Sequence, residues 1–301
     1  MENLNNQADS FDDLAQPFQI ESSHLRGRLV RMGPALDQIL CQHAYPEAVA
    51  NLLAETTVIA AALATALKYE GLFTLQAKSE GAVRMLVADV TSGGGVRAYA
   101  QHDIDRLDHG ALLRDGYLAF TVDQQVKDDR YQGIVKLEGD SLAEAVQHYF
   151  RQSEQIPTGI MAAARRDVAG RWRGGCLMLQ RMPREGGTTV ASDTGVEDDW
   201  LRAMMLMQTC TAEELTDPSL TAEALLFRLF HEEGVRVYEP HRFRHQCRCS
   251  AERVGGMLRS LPRAEVESMA VEGVVGVTCE FCNRSYTYDA EQLDALYGEP
   301  N

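Results

Sequence analysis

The sequence predicts an α+β protein in three parts: an N-terminal domain of mixed sheet and helix, a helical linker, and a small C-terminal domain. Three observations support this prediction. Short runs typical of strands recur with helical patterns up to Pro183, acidic residues concentrate in 184–240, and four of the seven cysteines follow residue 246. We therefore place the domains at 1–183, 184–240 and 241–301.

Length and composition limit the classes of function. A chain of 301 residues with 45% hydrophobic residues is long enough for two domains, or for one domain with an appendage. The 44 acidic residues outnumber the 29 basic ones, and the net charge of −15 argues against binding to nucleic-acid phosphates. The sequence shows no apolar run of membrane-spanning length and no basic, apolar leader. We expect a cytoplasmic protein with neither nucleic acid nor membrane as a partner.

The N-terminal domain is predicted to begin after a flexible tail, because residues 1–16 have no periodic pattern. An extended stretch, Ile20–Val30, is expected to form an edge strand. A long helix follows Pro46, whose missing amide suits a first turn, and Gly71 ends it. The helix is alanine-rich and apolar on nearly all sides, so we expect a sheet to bury it.

Seven further strands are expected to supply that sheet. A capping-box pattern at Ser141 and Glu144 predicts a helix between the fifth and sixth of them. The glycines of Ser92–Gly95 would also suit a phosphate-binding loop, but no Gly-Lys-Ser/Thr follows, so a hairpin is the favoured interpretation. The expected strands are Leu72–Ala77, Val83–Val90, Val96–Gln101, Tyr117–Val122, Gly133–Leu137, Gly159–Arg166 and Gly174–Gln180.

Residues 184–240 form the predicted linker. They contain four arginines, no lysine and twelve acidic residues, a net charge of −8. One predicted helix has an apolar, methionine-rich face around Trp200, and a second opens at Asp217-Pro218 and carries Phe227 on its apolar face. Such short helices are marginal in water, so they must pack on a neighbouring domain. The methionines fit either an adaptable core or a surface that repacks against varied partners.

The C-terminal domain contains two close pairs of cysteines. Cys247 and Cys249 are separated by one residue, and Cys279 and Cys282 follow after 29 residues with the two-residue spacing of a zinc knuckle. Four thiolates complete a tetrahedral zinc shell. We therefore predict a small C-terminal zinc-binding domain with one Zn²⁺ per chain and no open position for zinc catalysis.

The remaining cysteines and the neighbouring histidines have simpler interpretations. His241 or His245 could replace a thiol as ligand, but the complete thiolate set favours them as solvated neighbours. The scattered cysteines lie in apolar surroundings and have no second cysteine close by in sequence. They are expected to be small buried hydrophobes, namely Cys41, Cys176 and Cys210.

Metal binding is expected to decide whether the C-terminal domain folds. The domain has 61 residues, and a domain of that size rarely has a hydrophobic core large enough to keep it folded. A structural zinc site contributes folding free energy on the order of 10–16 kcal/mol. A typical domain is stable by about 5–15 kcal/mol, so oxidation of the ligands would unfold this one. A disulfide across Cys247 and Cys249 would be strained and comparatively oxidising. Nearby arginines would favour thiolates (Arg244, Arg248 and Arg253), so we hypothesise a thiol switch.

Six segments, together with the cysteine pairs, match a pattern known from one protein family. They are Tyr45-Pro46, Arg130–Val135, Leu137–Asp140, Arg151–Thr158, Gly174–Gln180 and Leu229–Glu233. With these segments the chain resembles the 33-kilodalton heat-shock protein family, the bacterial redox-regulated holdase chaperones. The cysteine pattern is the most specific part of the resemblance, which extends through nearly the whole chain.

The resemblance implies an ATP-independent holdase chaperone that is not an enzyme and that is inactive while reduced and zinc-bound. Oxidation would join Cys247 to Cys249 and Cys279 to Cys282, release zinc and unfold the linker. The exposed apolar surface would then bind unfolding proteins under oxidative or heat stress, and the oxidised protein would be a homodimer. The candidate client-binding residues are Trp200, Met204, Met207, Leu225 and Phe230.

Two other functions stay open on the residues alone. A zinc-ribbon nucleic-acid binder would use the arginines near the cysteines (Arg244, Arg248, Arg253 and Arg259), and salt-sensitive binding by the reduced protein would favour it. A thiol–disulfide oxidoreductase would use Cys279 and Cys282, but that chemistry requires a strand-to-helix context and a single dithiol. Catalysed reduction of insulin would support the second alternative.

Overall fold

The computed structural model describes residues 11–109, 111–124, 130–139, 141–182 and 194–298. The chain divides into two compact units, residues 1–245 and 246–301. This division lies five residues after the boundary predicted at residue 241. The difference arises because residues 241–245 pair with strands of the first unit.

The described residues form strands in both units and three α-helices between the ninth and tenth strands. The strands are β1 (Leu14–Ile20), β2 (Leu25–Met32), β3 (Gly71–Lys78), β4 (Val83–Thr91), β5 (Gly95–His102), β6 (Tyr117–Gln124), β7 (Arg130–Lys136), β8 (Thr158–Arg166), β9 (Trp172–Arg181), β10 (Val235–Val237), β11 (His241–Arg242), β12 (Arg244–His245), β13 (Val275–Thr278) and β14 (Ser285–Tyr288). The α-helices are α1 (Pro34–Leu40), α2 (Glu47–Ala66), α3 (Leu142–Tyr149), α4 (Thr194–Gln208), α5 (Ala212–Thr216), α6 (Ala222–Phe230), α7 (Ala251–Arg259), α8 (Arg263–Ser268) and α9 (Ala290–Gly298). Shorter helical turns occupy Ile104–His109, Phe150–Glu154 and His231–Glu233.

Two six-stranded sheets form the body of the first unit. The first sheet has the order β10-β1-β2-β9-β8, with β11 also paired to β1, and the second has the order β12-β5-β4-β3-β6-β7. Neighbours are antiparallel except for β12, which runs parallel to β5. The seven strands predicted after residue 71 are all present, but β6 pairs beside β3 instead of continuing a meander from β5.

Helix α2 lies in the core of the first unit and packs against strands of both sheets. It follows Pro46, as predicted, and thirteen of its residues are buried. Among the described residues it is the one helix long and apolar enough to cross a membrane, and 72% of its most apolar window is buried, as expected for a core helix.

The N-terminal segment departs from the prediction. Strand β1 begins at Leu14, inside the predicted tail 1–16. The sequence predicts an edge strand over Ile20–Val30. The structure instead places the corresponding strand, β2, inside the sheet between β1 and β9. The polar residue Gln16 hides strand β1 in the sequence, because a buried strand is expected to be apolar. Gln16 is nevertheless 2% exposed, and its side-chain amide donates a hydrogen bond to the Pro17 carbonyl at 3.1 Å.

The described part of the predicted linker, residues 194–240, packs on the first sheet. The face it covers is opposite the face that contacts α2, and the Phe18 and Phe230 rings stack across it with centroids 5.9 Å apart. A Cβ at Gly175 would lie 2.5 Å from the Leu215 carbonyl oxygen, so only glycine allows α5 this close to β9. The expectation that these helices pack on a neighbouring domain is confirmed. Residues 184–193 lie outside the described residues.

The second predicted linker helix starts later than the sequence indicates. Helix α6 begins after Thr221, whose hydroxyl oxygen accepts a hydrogen bond from the Ala224 N–H at 3.1 Å, and not at Asp217-Pro218. The short α5, with a capping box at Thr211, precedes it. Phe227 is 64% exposed, which corrects its predicted place on the buried face.

The second unit has a small apolar core. Helices α7, α8 and α9 and the β13–β14 hairpin contribute to it. A core of this size is marginal without a further stabilising device such as a metal or disulfides. Its buried residues are Val254, Leu258, Val266, Val275 and Leu293.

Candidate metal centre

Four cysteine sulfurs meet in the second unit. The Sγ atoms of Cys247, Cys249, Cys279 and Cys282 all lie within 4.8 Å of one another. Cys249 Sγ is 3.4 Å from both Cys247 Sγ and Cys282 Sγ, and Cys247 Sγ is 3.7 Å from Cys279 Sγ. Four half-buried soft donors at these separations can hold one metal ion.

The second cysteine pair sits in a tight turn between β13 and β14. The Cys279 N–H donates to the Arg284 carbonyl at 2.9 Å, and the Asn283 N–H donates to the Cys279 carbonyl at 2.8 Å. Asn283 takes a left-handed backbone conformation with φ of 55°, which asparagine tolerates better than most residues. The turn also directs the N–H groups of Cys282 and Phe281 at the Cys279 sulfur. This is the geometry that the knuckle spacing predicts.

The first pair reaches the cluster from the loop before α7. Ser250 caps that helix, accepting from the Arg253 N–H at 3.2 Å, and Arg253 donates in turn to the Arg248 carbonyl at 3.0 Å. The one-residue spacing suggests a backbone too extended for its amides to reach the sulfurs. The Cys249 N–H nevertheless donates to the Cys247 sulfur. The one-residue spacing between Cys247 and Cys249 therefore still directs one backbone N–H at a cluster sulfur.

The thiols of the cluster differ in acidity. Burial raises the pKa of Cys247, but hydrogen bonds from the Cys249 backbone and the neighbouring thiols outweigh it and lower that pKa to about 7. Burial raises the pKa of Cys279 and raises that of Cys282 to about 12. Of these three thiols, Cys247 is the one that most readily becomes a thiolate.

Two residues outside the predicted ligand set interact with the sulfurs. The Tyr286 hydroxyl donates to Cys249 Sγ at 3.1 Å. The Arg284 guanidinium interacts with Tyr286 and with the charges of Cys249 and Cys282. The sequence prediction named Arg244, Arg248 and Arg253 for this role and missed both residues. The signal that could have found them is position, because they follow Cys282 by two and four residues, on β14 or immediately before it.

The residues predicted as bystanders lie elsewhere. Among the described residues, neither His241 nor His245 belongs to the metal-capable cluster, and both are part of the first unit. Cys176 and Cys210 are buried, as predicted, but Cys41 is exposed at the end of α1, which corrects the prediction for that residue. It closes a short helix whose opposite face is the buried one.

The five candidate client-binding residues all face the first sheet. Three are buried, with Leu225 and Phe230 at 0% exposure and Met207 at 3%, and Trp200 and Met204 pack partly buried against the same cluster. In this state the linker itself therefore occupies the apolar face.

Comparison with known proteins adds independent findings. The family model described as Hsp33 protein matches residues 13–289. A 33 kDa chaperonin of Caulobacter vibrioides is 38% identical over 292 residues, which cover 92% of this chain and 95% of the relative. A 33 kDa chaperonin of Pseudomonas aeruginosa is 38% identical over 294 residues, covering 96% and 95%. The crystal structure of the Thermotoga maritima 33 kDa chaperonin (heat shock protein 33 homolog), at 2.20 Å, has a TM-score of 0.80 and 23% identity, covering 95% of this chain and 98% of that one.

The family match, the named relatives and the site together define an α+β chaperone with a metal-capable four-thiol unit in its C-terminal part. Its relatives are named 33 kDa chaperonins, and proteins of the Hsp33 family are not enzymes. The chain belongs to the Hsp33 protein family. The family and the α+β fold predicted from the sequence are therefore confirmed.

Proposed function

We propose that the chain is a redox-regulated, ATP-independent holdase that is inactive while four reduced cysteines hold one Zn²⁺. The four sulfurs within 4.8 Å of one another carry this proposal. Tetrahedral thiolate sets of this kind are typical of structural zinc. Zinc, when bound, would hold the thiolates together and supply folding free energy on the order of 10–16 kcal/mol. The proposed ligands are Cys247, Cys249, Cys279 and Cys282.

Oxidation would convert the cluster into two disulfides, Cys247–Cys249 and Cys279–Cys282. For each bond, two thiolates give up two electrons to one hydrogen peroxide, whose O–O bond breaks and which takes up two protons from solvent to form two waters. The 3.4 Å separation of Cys247 Sγ and Cys249 Sγ supports the first pairing. Cys249 Sγ and Cys282 Sγ are equally close, so peptide mapping of the disulfides decides between the pairings. Either product removes the thiolate ligands, and with them the free energy that folds the second unit.

A short anchor connects this switch to the linker. Phe243 is buried in the first unit and its N–H donates to the Asp13 carbonyl at 2.7 Å. The Arg244 N–H donates to the Gly94 carbonyl at 2.9 Å, as β12 pairs with β5. Cys247 follows two residues after this segment. We infer that unfolding of the second unit loosens the anchor and releases residues 184–240 as a metastable linker.

Release of the linker would uncover two apolar surfaces at once. One is the face of the first sheet that contains Phe18, Leu29 and Leu179, and the other is the inner face of α4 and α6. Unfolded or partly folded proteins would bind there, with Trp200, Met204, Met207, Leu225 and Phe230 as the proposed contacts on the linker.

We further propose a homodimer in the oxidised state and a cytoplasmic location. The net charge of −15 supports the absence of nucleic-acid or membrane partners.

An aggregation assay tests the function. Light scattering from a thermally unfolding reporter enzyme is followed with reduced, zinc-loaded protein and with protein treated with peroxide at elevated temperature. The reduced form should give no protection, and the treated form should suppress aggregation after it releases one zinc per chain. Protection by the reduced form equal to that of the oxidised form would contradict redox regulation, and its absence from both forms would contradict the holdase function.

A further inference from the structure

A pocket of about 360 Å³ opens between the two sheets of the first unit, at the end of α2. Its walls are mainly apolar and aromatic, the usual character of a small-ligand site. The four-thiol cluster and the proposed client-binding residues lie outside it. We call it the intersheet pocket and define it by the residues on which its chemistry depends, which are Arg26, Lys68, Phe120, Tyr131, Phe150 and Glu154.

Two sequence segments that the redox function leaves unexplained meet at this pocket, one around Tyr131 and the other around Glu154. The Tyr131 and Tyr149 hydroxyls both donate to Glu154 Oε1, at 3.0 and 2.8 Å. The π-helical turn Phe150–Glu154 carries this carboxylate. Such turns are rare and are frequent at functional sites. The segments therefore build one wall of the pocket.

The aromatic wall is already ordered in the folded chain. The Phe120 and Tyr149 rings stack with centroids 4.4 Å apart, and Phe150 lies edge-on to Phe120 at 6.4 Å. Gly133 makes this packing possible, because any Cβ there would collide with the Tyr149 hydroxyl. A ligand would therefore enter a preformed site and would not have to order its walls.

One buried donor at the pocket has no acceptor. Arg26 on β2 lies between its register neighbours Gln19 and Gln180 and lines the pocket. Within the part of the chain that the structure describes, its Nε is shielded from solvent and has no hydrogen-bond partner. Buried polar groups are normally satisfied, so this N–H indicates a missing acceptor.

The charges around the pocket favour an anion. Among the described lining residues, Arg26 and Lys68 are basic and Glu154 alone is acidic. Glu154 already accepts two phenol hydrogens, which compensate part of its charge. Arg28 is close enough to Arg26 for their positive charges to interact, and its Nε–H donates to the Thr65 carbonyl at 3.3 Å.

We propose that the intersheet pocket binds a free monocarboxylate with an apolar chain. The carboxylate accepts from the Arg26 guanidinium, near Lys68, and the chain lies against Phe120 and Phe150. A single carboxylate matches the one unpaired Nε–H of Arg26, and the aromatic rings of Phe120 and Phe150 suit an uncharged chain. This inference does not depend on the proposed redox function, because no metal ligand or linker residue takes part.

Calorimetric titration tests the proposal with the full-length, reduced, zinc-loaded protein. Decanoate, below its micellar concentration, is compared with decanol and with decyltrimethylammonium, which present the same chain with no charge and with the opposite charge. Decanoate should saturate one site per chain and bind at least about tenfold more tightly than either analogue, the size of effect that one charge-assisted hydrogen bond produces.

Two variants locate the site. Arg26→Met should weaken decanoate binding about tenfold and leave decanol binding within about twofold. The matched control Arg84→Met removes a strand arginine paired to Glu80 at the surface and should change neither. Ala66→Phe, at the last residue of α2, fills the pocket and should abolish decanoate binding while circular dichroism stays that of the wild type.

Several results would overturn the assignment. They are non-saturable decanoate binding, equal affinity for the three amphiphiles, tighter binding of the cation, or wild-type decanoate affinity in Arg26→Met and Ala66→Phe. If Arg26→Met does not fold, the charge series with Ala66→Phe decides the outcome.

Discussion

The guanidinium of Arg31 donates a hydrogen bond to the main-chain carbonyl of Leu220, which lies 189 residues later in the chain. Arg31 is 2% exposed on β2, and its other acceptors are the carbonyls of Glu214, at 3.3 Å, and Asp217. A buried charge is stable only where hydrogen bonds compensate it, and the three linker carbonyls do so at the two terminal nitrogens of Arg31. Burial of Arg31 and docking of the linker therefore depend on each other, and a released linker would leave Arg31 free to hydrate.

Arg31→Met should loosen the linker without any oxidant. The substitution leaves buried linker carbonyls unpaired, each at a cost of about 1–3 kcal/mol. We expect faster cleavage between residues 194 and 230 when the reduced, zinc-loaded protein is digested with a protease and its fragments are weighed. Arg236→Met, which removes an exposed arginine paired with Glu21, is the control and should be cleaved like the wild type. Equal cleavage of all three proteins would rule out the Arg31 contact as a support for the linker.

Phe243→Ala should destabilise the first unit, since Phe243 is 7% exposed within its core. Loss of a buried phenylalanine costs about 3–5 kcal/mol. Both tryptophans, Trp172 and Trp200, lie in the first unit, so urea unfolding followed by their fluorescence measures that unit alone. Phe227→Ala, at a residue 64% exposed, should change the free energy of unfolding by no more than about 0.5 kcal/mol. If Phe243→Ala changes the free energy of unfolding by no more than the control does, the segment around Phe243 contributes little to the stability of the first unit.

Tyr286→Phe should weaken metal binding. The substitution removes only the hydroxyl that donates to Cys249 Sγ at 3.1 Å. Loss of a hydrogen-bond partner of a metal ligand typically lowers metal affinity about 10- to 100-fold, and we expect a decrease of about that size in zinc affinity. Competition with a chromophoric chelator measures the zinc affinity. Tyr288→Phe removes a hydroxyl that donates to the Ala251 carbonyl and is the matched control. The role assigned to Tyr286 fails if both variants bind zinc with the same affinity.

Cys279→Ser should lower zinc content and loosen the linker in the absence of oxidant. The serine keeps the size of the side chain but supplies a poor ligand, so the second unit loses folding free energy. Zinc per chain and protease cleavage between residues 194 and 230 are measured together. Cys41→Ser, at an exposed thiol outside the cluster, should match the wild type in both. Wild-type protease resistance in a zinc-depleted Cys279→Ser protein would separate the metal site from the linker.

Periodicity explains which elements the sequence could predict. The runs that form β3 and β4 alternate apolar and polar residues, and the apolar surface of α2 begins after Pro46, so local pattern is sufficient there. The predicted end of α2 at Gly71 is wrong, because the helix ends at Ala66 and Gly71 opens β3. Strand β1 escaped prediction because Gln16 and Pro17 interrupt its pattern, although Gln16 is satisfied inside the fold. Helix α1 was missed for the same kind of reason, since its seven residues are too few to show a helical period.

Long-range contacts explain what the sequence could not predict. The cysteine spacing identifies the four sulfurs that meet, because two tight turns deliver them in pairs. The hydroxyl of Tyr286 reaches Cys249 only through the pairing of β13 with β14. Arg31 reads in the sequence as a surface charge, and its burial requires linker carbonyls from far along the chain. Side chains whose partners are distant in sequence carry no local signal.

Hydrogen–deuterium exchange of the linker tests the central claim most directly. Amides of α4, α5 and α6 are compared in the reduced, zinc-loaded protein and after peroxide oxidation with loss of zinc, and α2 serves as the internal reference. The account predicts that protection of the three linker helices falls to that of an unfolded segment upon oxidation, while α2 stays protected. Linker amides that remain as protected in the oxidised, zinc-free protein as in the reduced one would contradict it.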